Sequence, residues 1–130
     1  WGRKDMAKLS DPTPKLAAKM LQEVDYDDRI VGLMLAPMSG SVERTLWSFE
    51  EAVNFLHVDQ NLHENQASIR YIDLNLLQRW IAEVFGDHEL ATAINAEISK
   101  YKNFGERVQP VKEMMLFRLN QCKKLVHSQA

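Results

Sequence analysis

Apolar residues recur every three or four positions along most of the chain, the spacing that places them on one face of an α-helix. The first such segment opens at Pro14, where Thr13 is a suitable N-cap and a proline loses no helical hydrogen bond. A second segment opens at Ser48, whose hydroxyl and the carboxylate of Glu51 are the two halves of a capping box. The pattern therefore predicts one helix from Pro14 and another from Ser48 to about residue 58.

The most regular pattern covers residues 73–99, where two amphipathic segments meet at a glycine followed by an aspartate. Asp73 is a natural N-cap for the first segment. Gly86 suits the left-handed geometry that ends many helices, and Asp87 can cap the next helix immediately. We therefore predict two helices that fold back on each other across this joint.

The last helix is predicted to begin at Pro110, after a loop over 100–109, and to end near His127. Its apolar residues cover more than half of the circumference, which is more than one buried face requires. Leu116 and Phe117 lie outside the face that points inward. The helix is therefore either enclosed by the fold or leaves an apolar patch for a partner.

Residues 25–47 fit two different structures. Acidic residues precede a near-continuous apolar run, which favours a short buried helix that ends before Pro37. The alternative is a short β-hairpin over 29–47. We prefer the helix, so the predicted fold class is mainly α: a compact bundle of about five helices, with the hairpin as the open alternative.

Length and composition indicate one domain over residues 1–130, because 45% apolar and 26% charged residues are typical of globular proteins. The polar residues 1–12 are expected to form a flexible N-terminal segment. No apolar run is long enough to cross a bilayer, and no secretory signal is recognisable. Together with a single cysteine, Cys122, this predicts a cytoplasmic protein with no membrane partner.

The net charge of −2 conceals a strong asymmetry. Residues 1–99 carry nine basic and sixteen acidic side chains, whereas residues 100–130 carry seven basic and two acidic ones. The basic end could contact an acidic partner, a nucleic acid or the acidic remainder of the fold. The candidate partner-binding residues all lie on the last helix: Leu116, Phe117, Lys112, Arg118, Lys123 and Lys124.

Patterns for catalysis or metal binding are weak. His57, Asp59, His63 and Glu64 are close in sequence, but histidines six residues apart do not share one helix face. Cys122 lies in an apolar helical face, where burial disfavours a reactive thiolate. Glycine-rich phosphate loops and nucleophile elbows are absent from the sequence. We therefore predict a protein that is not an enzyme and has no cofactor.

The sequence from Trp80 to Ala91 reads Trp-Ile-Ala-Glu-Val-Phe-Gly-Asp-His-Glu-Leu-Ala. It resembles a prokaryotic family of small domains of unknown function, the DUF5752 type, in which this motif follows a segment like residues 48–56. The resemblance covers about residues 48–98. It implies no activity and no catalytic residue.

Three functions are compatible with these patterns. The first is a non-catalytic helical regulatory or protein-protein interaction module that self-associates through the C-terminal helix. The second is a nucleic-acid-binding domain that uses the basic C-terminal third. The third is a small-ligand sensor with a pocket between helices, lined by Trp47, Trp80 and methionines.

Overall fold

The structure, a computed structural model, describes residues 9–36, 40–56 and 69–128. Five α-helices and a three-stranded antiparallel sheet form most of this part of the chain. In chain order the elements are α1 (Pro14–Met20), β1 (Ile30–Ala36), β2 (Gly40–Leu46), α2 (Phe49–Phe55), β3 (Ile69–Tyr71), α3 (Leu74–Trp80), α4 (His88–Ile98) and α5 (Phe104–Ser128). The prediction of a mainly α chain is confirmed, but the sheet is larger than the hairpin we considered.

The helix that we preferred for the apolar run after the acidic residues is wrong, because this run forms β1. The acidic residues make only one 3₁₀ turn, Tyr26–Asp28, and Arg29 then adopts an extended backbone (φ −70°, ψ 159°). β1 pairs antiparallel with β2 over its full length, which confirms the hairpin alternative. On its other edge β1 pairs with β3, a strand that the sequence pattern did not predict.

The extended structure of β1 is packed closely against α2. Gly32 faces the aromatic ring of Phe55, and a Cβ added to this glycine would lie 2.5 Å from a ring carbon. The missing side chain therefore lets the ring pack directly against the strand backbone. The sequence pattern of neither element predicts this contact, because it joins two elements that are separate in sequence.

Four of the predicted helix starts, those of α1, α2, α3 and α4, are confirmed by their capping hydrogen bonds. In each of these four helices a side-chain oxygen accepts a hydrogen bond from a backbone N–H two or three residues further on. The capping residues are Thr13, Ser48, Asp73 and Asp87. The Glu51 carboxylate reaches back further than a standard capping box requires, since it accepts from the backbone N–H of Trp47 at 2.6 Å.

The joint between α3 and α4 has the geometry that the sequence predicted. Gly86 is left-handed (φ 79°), and its N–H donates to the carbonyl of Ile81. Before it, α3 continues as one wider π-helical turn, Ile81–Phe85. Phe85 is buried there, and its ring meets that of Trp80 edge-to-face with centroids 4.9 Å apart.

The prediction that the last helix begins at Pro110 after a loop is wrong, because α5 begins six residues earlier. The Asn103 side chain accepts a hydrogen bond from the backbone N–H of Glu106 at 2.9 Å and donates to its carboxylate at 2.6 Å. This reciprocal cap starts the helix before the proline. Pro110 then lies inside the helix, where its missing N–H removes one hydrogen bond.

α5 packs against α1, α2 and α4, so it is the central helix of the core. Its buried residues recur at helical spacing: Val108, Val111, Met114, Met115, Leu119 and Cys122. Leu9 is also buried, although it belongs to the N-terminal segment that we expected to be flexible. The other residues of that segment up to residue 8, and the polar stretch 57–68, lie outside the described residues.

Candidate interaction surface on the last helix

The two apolar candidates on α5 are both accessible. Leu116 is 42% exposed, and Phe117 is half-buried. Since consecutive residues on an α-helix are about 100° apart, these side chains lie at two edges of the outward-facing side. Between and beside them are polar, exposed residues. We call the whole set the outward stripe: Glu113, Leu116, Phe117, Asn120 and Lys124.

A groove of about 520 Å³ follows the Phe117 edge of the outward stripe. Its opposite wall is formed by Asp11 and Pro12, which precede α1. Phe117, Pro12 and Leu125 supply apolar surface to this groove, and Lys124 lies beside them. The sequence predicted the accessible aromatic residue, but it did not indicate that the chain before α1 would form the second wall.

The prediction that Arg118 lies on a partner-binding surface is wrong. Its side chain is only 1% exposed, and its Nε atom is 2.8 Å from Oδ2 of Asp87. Its Nη2 atom donates to Oε1 of Glu89 at 2.7 Å. Its Nη1 atom donates to the backbone carbonyl of Ser10 at 2.7 Å and to Oε1 of Gln121 at 2.9 Å. Arg118 is therefore unavailable to a partner.

This buried ion cluster joins the segment before α1, the start of α4 and the middle of α5. The Ser10 hydroxyl donates to Glu89 at 2.5 Å, and this hydrogen bond, supported by the Arg118 guanidinium, lowers the pKa of the Glu89 carboxyl. Asp87 has a double role, because it also caps α4 through the N–H of Leu90. The cluster is closed to solvent at Arg118, so its role is structural.

One signal in the sequence could have identified the buried arginine. Arg118 has the same helical spacing as the apolar residues Val111, Met115 and Cys122, so it lies on the inward face of α5. A basic residue on a buried face requires acidic partners. Asp87, one of those partners, carries only the signal of a helix cap in the sequence.

The positive charge of the C-terminal third is largely used within the fold. Lys112 and Lys124 lie about 120° apart on α5, so they do not form one basic strip. Four other basic side chains have partners in the described structure: Lys100 pairs with Glu97, Arg107 with the carbonyl of Tyr101, Arg118 with Asp87 and Glu89, and Lys123 with Glu50. This geometry gives little support to nucleic-acid binding.

The two tryptophans that we assigned to one ligand pocket occupy different places. Trp80 is buried, and its indole N–H donates to the carbonyl of Asp28 at 2.6 Å. Trp47 is half-buried and lines a separate pocket beside the sheet, together with Met34. Any ligand at Trp47 would therefore contact the sheet and not the space between helices.

The structure describes residues 9–36, 40–56 and 69–128, and these ranges bear on the other chemistry that the sequence suggested. In these ranges no three His, Cys, Asp or Glu side chains converge as a metal ion would require. The candidates His57, Asp59, His63 and Glu64 lie outside the described residues. Burial raises the pKa of the Cys122 thiol to about 11, which is consistent with a packing role. Every helix described is too short or too polar to cross a bilayer.

No family model, curated protein or solved structure matches the chain. The resemblance of residues 48–98 to the DUF5752 type therefore stays a prediction. The candidate site therefore rests on the geometry of α5 and of the residues before α1 that line the groove.

Proposed function

We propose that the protein is a non-catalytic protein-protein interaction module that self-associates through the outward stripe of α5. The observation that supports this proposal is the composition of the stripe. It combines an exposed Leu116 and a groove-lining Phe117 with two opposite charges, Glu113 and Lys124. Neither charge forms an ion pair with another of the residues that the structure describes.

In an antiparallel arrangement of two copies, Glu113 and Lys124 of each copy can form ion pairs with the other copy. α5 has 25 residues and is therefore about 37 Å long, enough for an extended helix–helix contact. A two-fold axis at the level between residues 118 and 119 places Glu113 opposite Lys124 of the partner subunit. By symmetry the same ion pair forms twice, as in any isologous interface. The axis also places Phe117 next to the partner's Asn120, at the edge of the groove.

The energetic terms predict a weak, reversible dimer. Full burial of one Leu or Phe side chain stabilises an interface by about 1.5–3 kcal/mol. Each exposed ion pair adds only about 0–1 kcal/mol. Association itself costs several kcal/mol in lost translation and rotation. We therefore expect a dimer that forms at micromolar or higher concentrations and dissociates on dilution.

Sedimentation velocity or light scattering over a concentration series tests this proposal. The wild-type chain should change from monomer to dimer, whereas Phe117→Ser should remain monomeric because the main apolar contact is lost. Glu113→Lys should also weaken the dimer, since it places two lysines opposite each other. The double variant Glu113→Lys/Lys124→Glu should restore it. Glu83→Lys, at an exposed position outside α5, is the matched control.

Two results would contradict this proposal. A wild-type chain that is monomeric at the highest soluble concentration excludes self-association. A dimer that is insensitive to Phe117→Ser, or that the double charge exchange fails to restore, uses another surface.

A further inference from the structure

A second concave site lies between the sheet and α2. It is a pocket of about 430 Å³. Its main lining residues are Met34, Arg44, Trp47, Glu51, Phe55 and Arg70. We call it the two-arginine pocket, because both arginines come from strands that flank β1.

The strand register brings these arginines to one face of the sheet. In the ladder, Arg44 on β2 lies opposite Gly32, and Arg70 on β3 lies opposite Met34. Because side chains alternate along a strand, residues two positions apart on β1 share a face. The backbones of β2 and β3 are about 10 Å apart across β1. The two guanidinium groups therefore approach the same space from opposite sides.

Both guanidinium groups have weak partners. Nη2 of Arg44 is 3.7 Å from the thioether sulfur of Met34, which is a poor acceptor. Nη1 of Arg70 donates to the carbonyl of Asn54 at the long distance of 3.4 Å, and its Cζ is 5.9 Å from the centroid of the Phe55 ring. Each guanidinium has five N–H donors, so most of them remain available.

The pocket carries an excess of positive charge. Among the described residues, neither Arg44 nor Arg70 forms an ion pair with a carboxylate. Glu51 is the one carboxylate among the lining residues, and its Oε1 atom already accepts from the backbone N–H of Trp47. Two positive charges against one negative charge in a concave site attract anions.

We propose that the two-arginine pocket binds the phosphate group of a small phosphomonoester. A phosphate has three terminal oxygens and nearly two negative charges, so it can accept from two guanidinium groups on different sides, whereas a carboxylate is satisfied by one fork. The pocket is larger than a phosphate ion, and its volume lies in the range of small-ligand sites. Trp47 offers an aromatic surface for the organic part. The site is separate from the outward stripe of α5.

Calorimetric or NMR titration of the full chain tests this proposal with three phosphate probes and one neutral control. The probes are adenosine 5′-monophosphate, glucose 6-phosphate and inorganic phosphate, and the control is adenosine. The two phosphomonoesters should bind more tightly than inorganic phosphate, and adenosine should not bind. Added salt should weaken binding, because the attraction is electrostatic.

Substitutions then connect the binding to the two arginines. Arg44→Gln and Arg70→Gln should each lower the affinity for the tighter phosphomonoester by about tenfold or more, the usual effect of losing a charge-assisted hydrogen bond. Glu51→Gln should raise the affinity, because it removes the opposing charge and keeps the acceptor for Trp47. The matched control is Arg79→Gln at an exposed position on α3, which should leave the affinity unchanged.

Several results would overturn the assignment. The first is that none of the three phosphate probes binds at millimolar concentration. The second is that adenosine binds as tightly as adenosine 5′-monophosphate. The third is that Arg79→Gln lowers the affinity as much as Arg44→Gln and Arg70→Gln do. A phosphoserine peptide could also bind more tightly than either small phosphomonoester. The ligand of the pocket would then be a phosphorylated protein and not a small molecule. Arg44 is exposed, so its substitution tests the site even if Arg70→Gln disturbs the fold.

Discussion

The ion cluster on α5 and the two-arginine pocket use the same side chain in opposite ways. Arg118 is buried and contacts two carboxylates and the carbonyl of Ser10. Among the residues that the structure describes, the interaction partners of Arg44 and Arg70 are a thioether sulfur, a backbone carbonyl and an aromatic ring. An arginine that the fold satisfies holds the structure together, whereas an arginine that the fold leaves unsatisfied is available to a ligand.

The difference follows from where each arginine lies on its element. Arg118 is on the inward face of a helix, so burial would be very unfavourable without acidic partners. Arg44 and Arg70 are on strands at the two edges of a small sheet, where their long side chains reach solvent. The free-energy cost of leaving these two arginines without carboxylate partners is therefore small.

The largest expected effect concerns Arg118. Arg118→Met should lower the free energy of unfolding by about 3–5 kcal/mol, because the buried Asp87 carboxylate loses its cationic partner. Urea unfolding measures this loss, with Arg79→Met as the control on an exposed helix face. A loss below about 1 kcal/mol would show that the ion cluster is not needed for stability. Arg118 would then not differ from Arg44 and Arg70 in its structural role.

The second prediction uses Cys122, whose thiol is buried close to the ion cluster. Burial raises the pKa of this thiol from 9.0 to about 11 in the folded state. The unfolded chain therefore ionises first, so the stabilising contribution is present below pH 9.0 and is lost as the pH rises towards about 11. The expected loss is about 2–3 kcal/mol, which is two pKa units.

Urea unfolding of the wild-type chain and Cys122→Ala at several pH values isolates this contribution. The variant should lack the additional alkaline loss, although its stability at neutral pH will be lower. In the folded wild-type chain the thiol should also react slowly with a maleimide. Rapid labelling without unfolding would mean that this region is open to solvent.

The third prediction concerns the packing of α2 on β1, beside the two-arginine pocket. Gly32→Ala should lower the free energy of unfolding by about 1–3 kcal/mol, because the new methyl group would overlap the Phe55 ring. Gly105→Ala is a suitable control, since the nearest atom to its added Cβ is Asn103 Oδ1 at 3.5 Å. The control should be neutral or slightly stabilising. Equal stability of the two variants would contradict the close packing of α2 on β1.

The smallest expected effect is that of removing the pocket arginines. Arg44→Gln and Arg70→Gln should change the free energy of unfolding by at most about 0.5 kcal/mol, because neither side chain has a strong partner within the described ranges. Thermal or urea unfolding checks this beside Arg118→Met. If either variant lost as much as about 2 kcal/mol, the arginine would be a structural residue and the comparison would no longer hold.

Much of the helical structure was predictable from short sequence segments. The caps at Thr13, Ser48, Asp73 and Asp87 and the left-handed Gly86 all depend on residues within a few positions of each other. The exception is the start of α5. Pro110 is a typical first residue of a helix, but the structure begins this helix after the cap at Asn103. Within the candidate interaction site, the exposure of Leu116 and Lys124 agrees with the helical pattern.

Tertiary structure alone decided the features that bear on function. The run in β1 became a strand because β2, β3 and the Phe55 ring surround it, and no residue within the run specifies those neighbours. Arg118 became a buried ion partner because the fold brings Asp87 and Glu89, 31 and 29 positions away in sequence, to its guanidinium group. Helix caps form between near neighbours, so the sequence determines them directly. The partner of a charge, or its absence, depends on which distant elements the fold brings together.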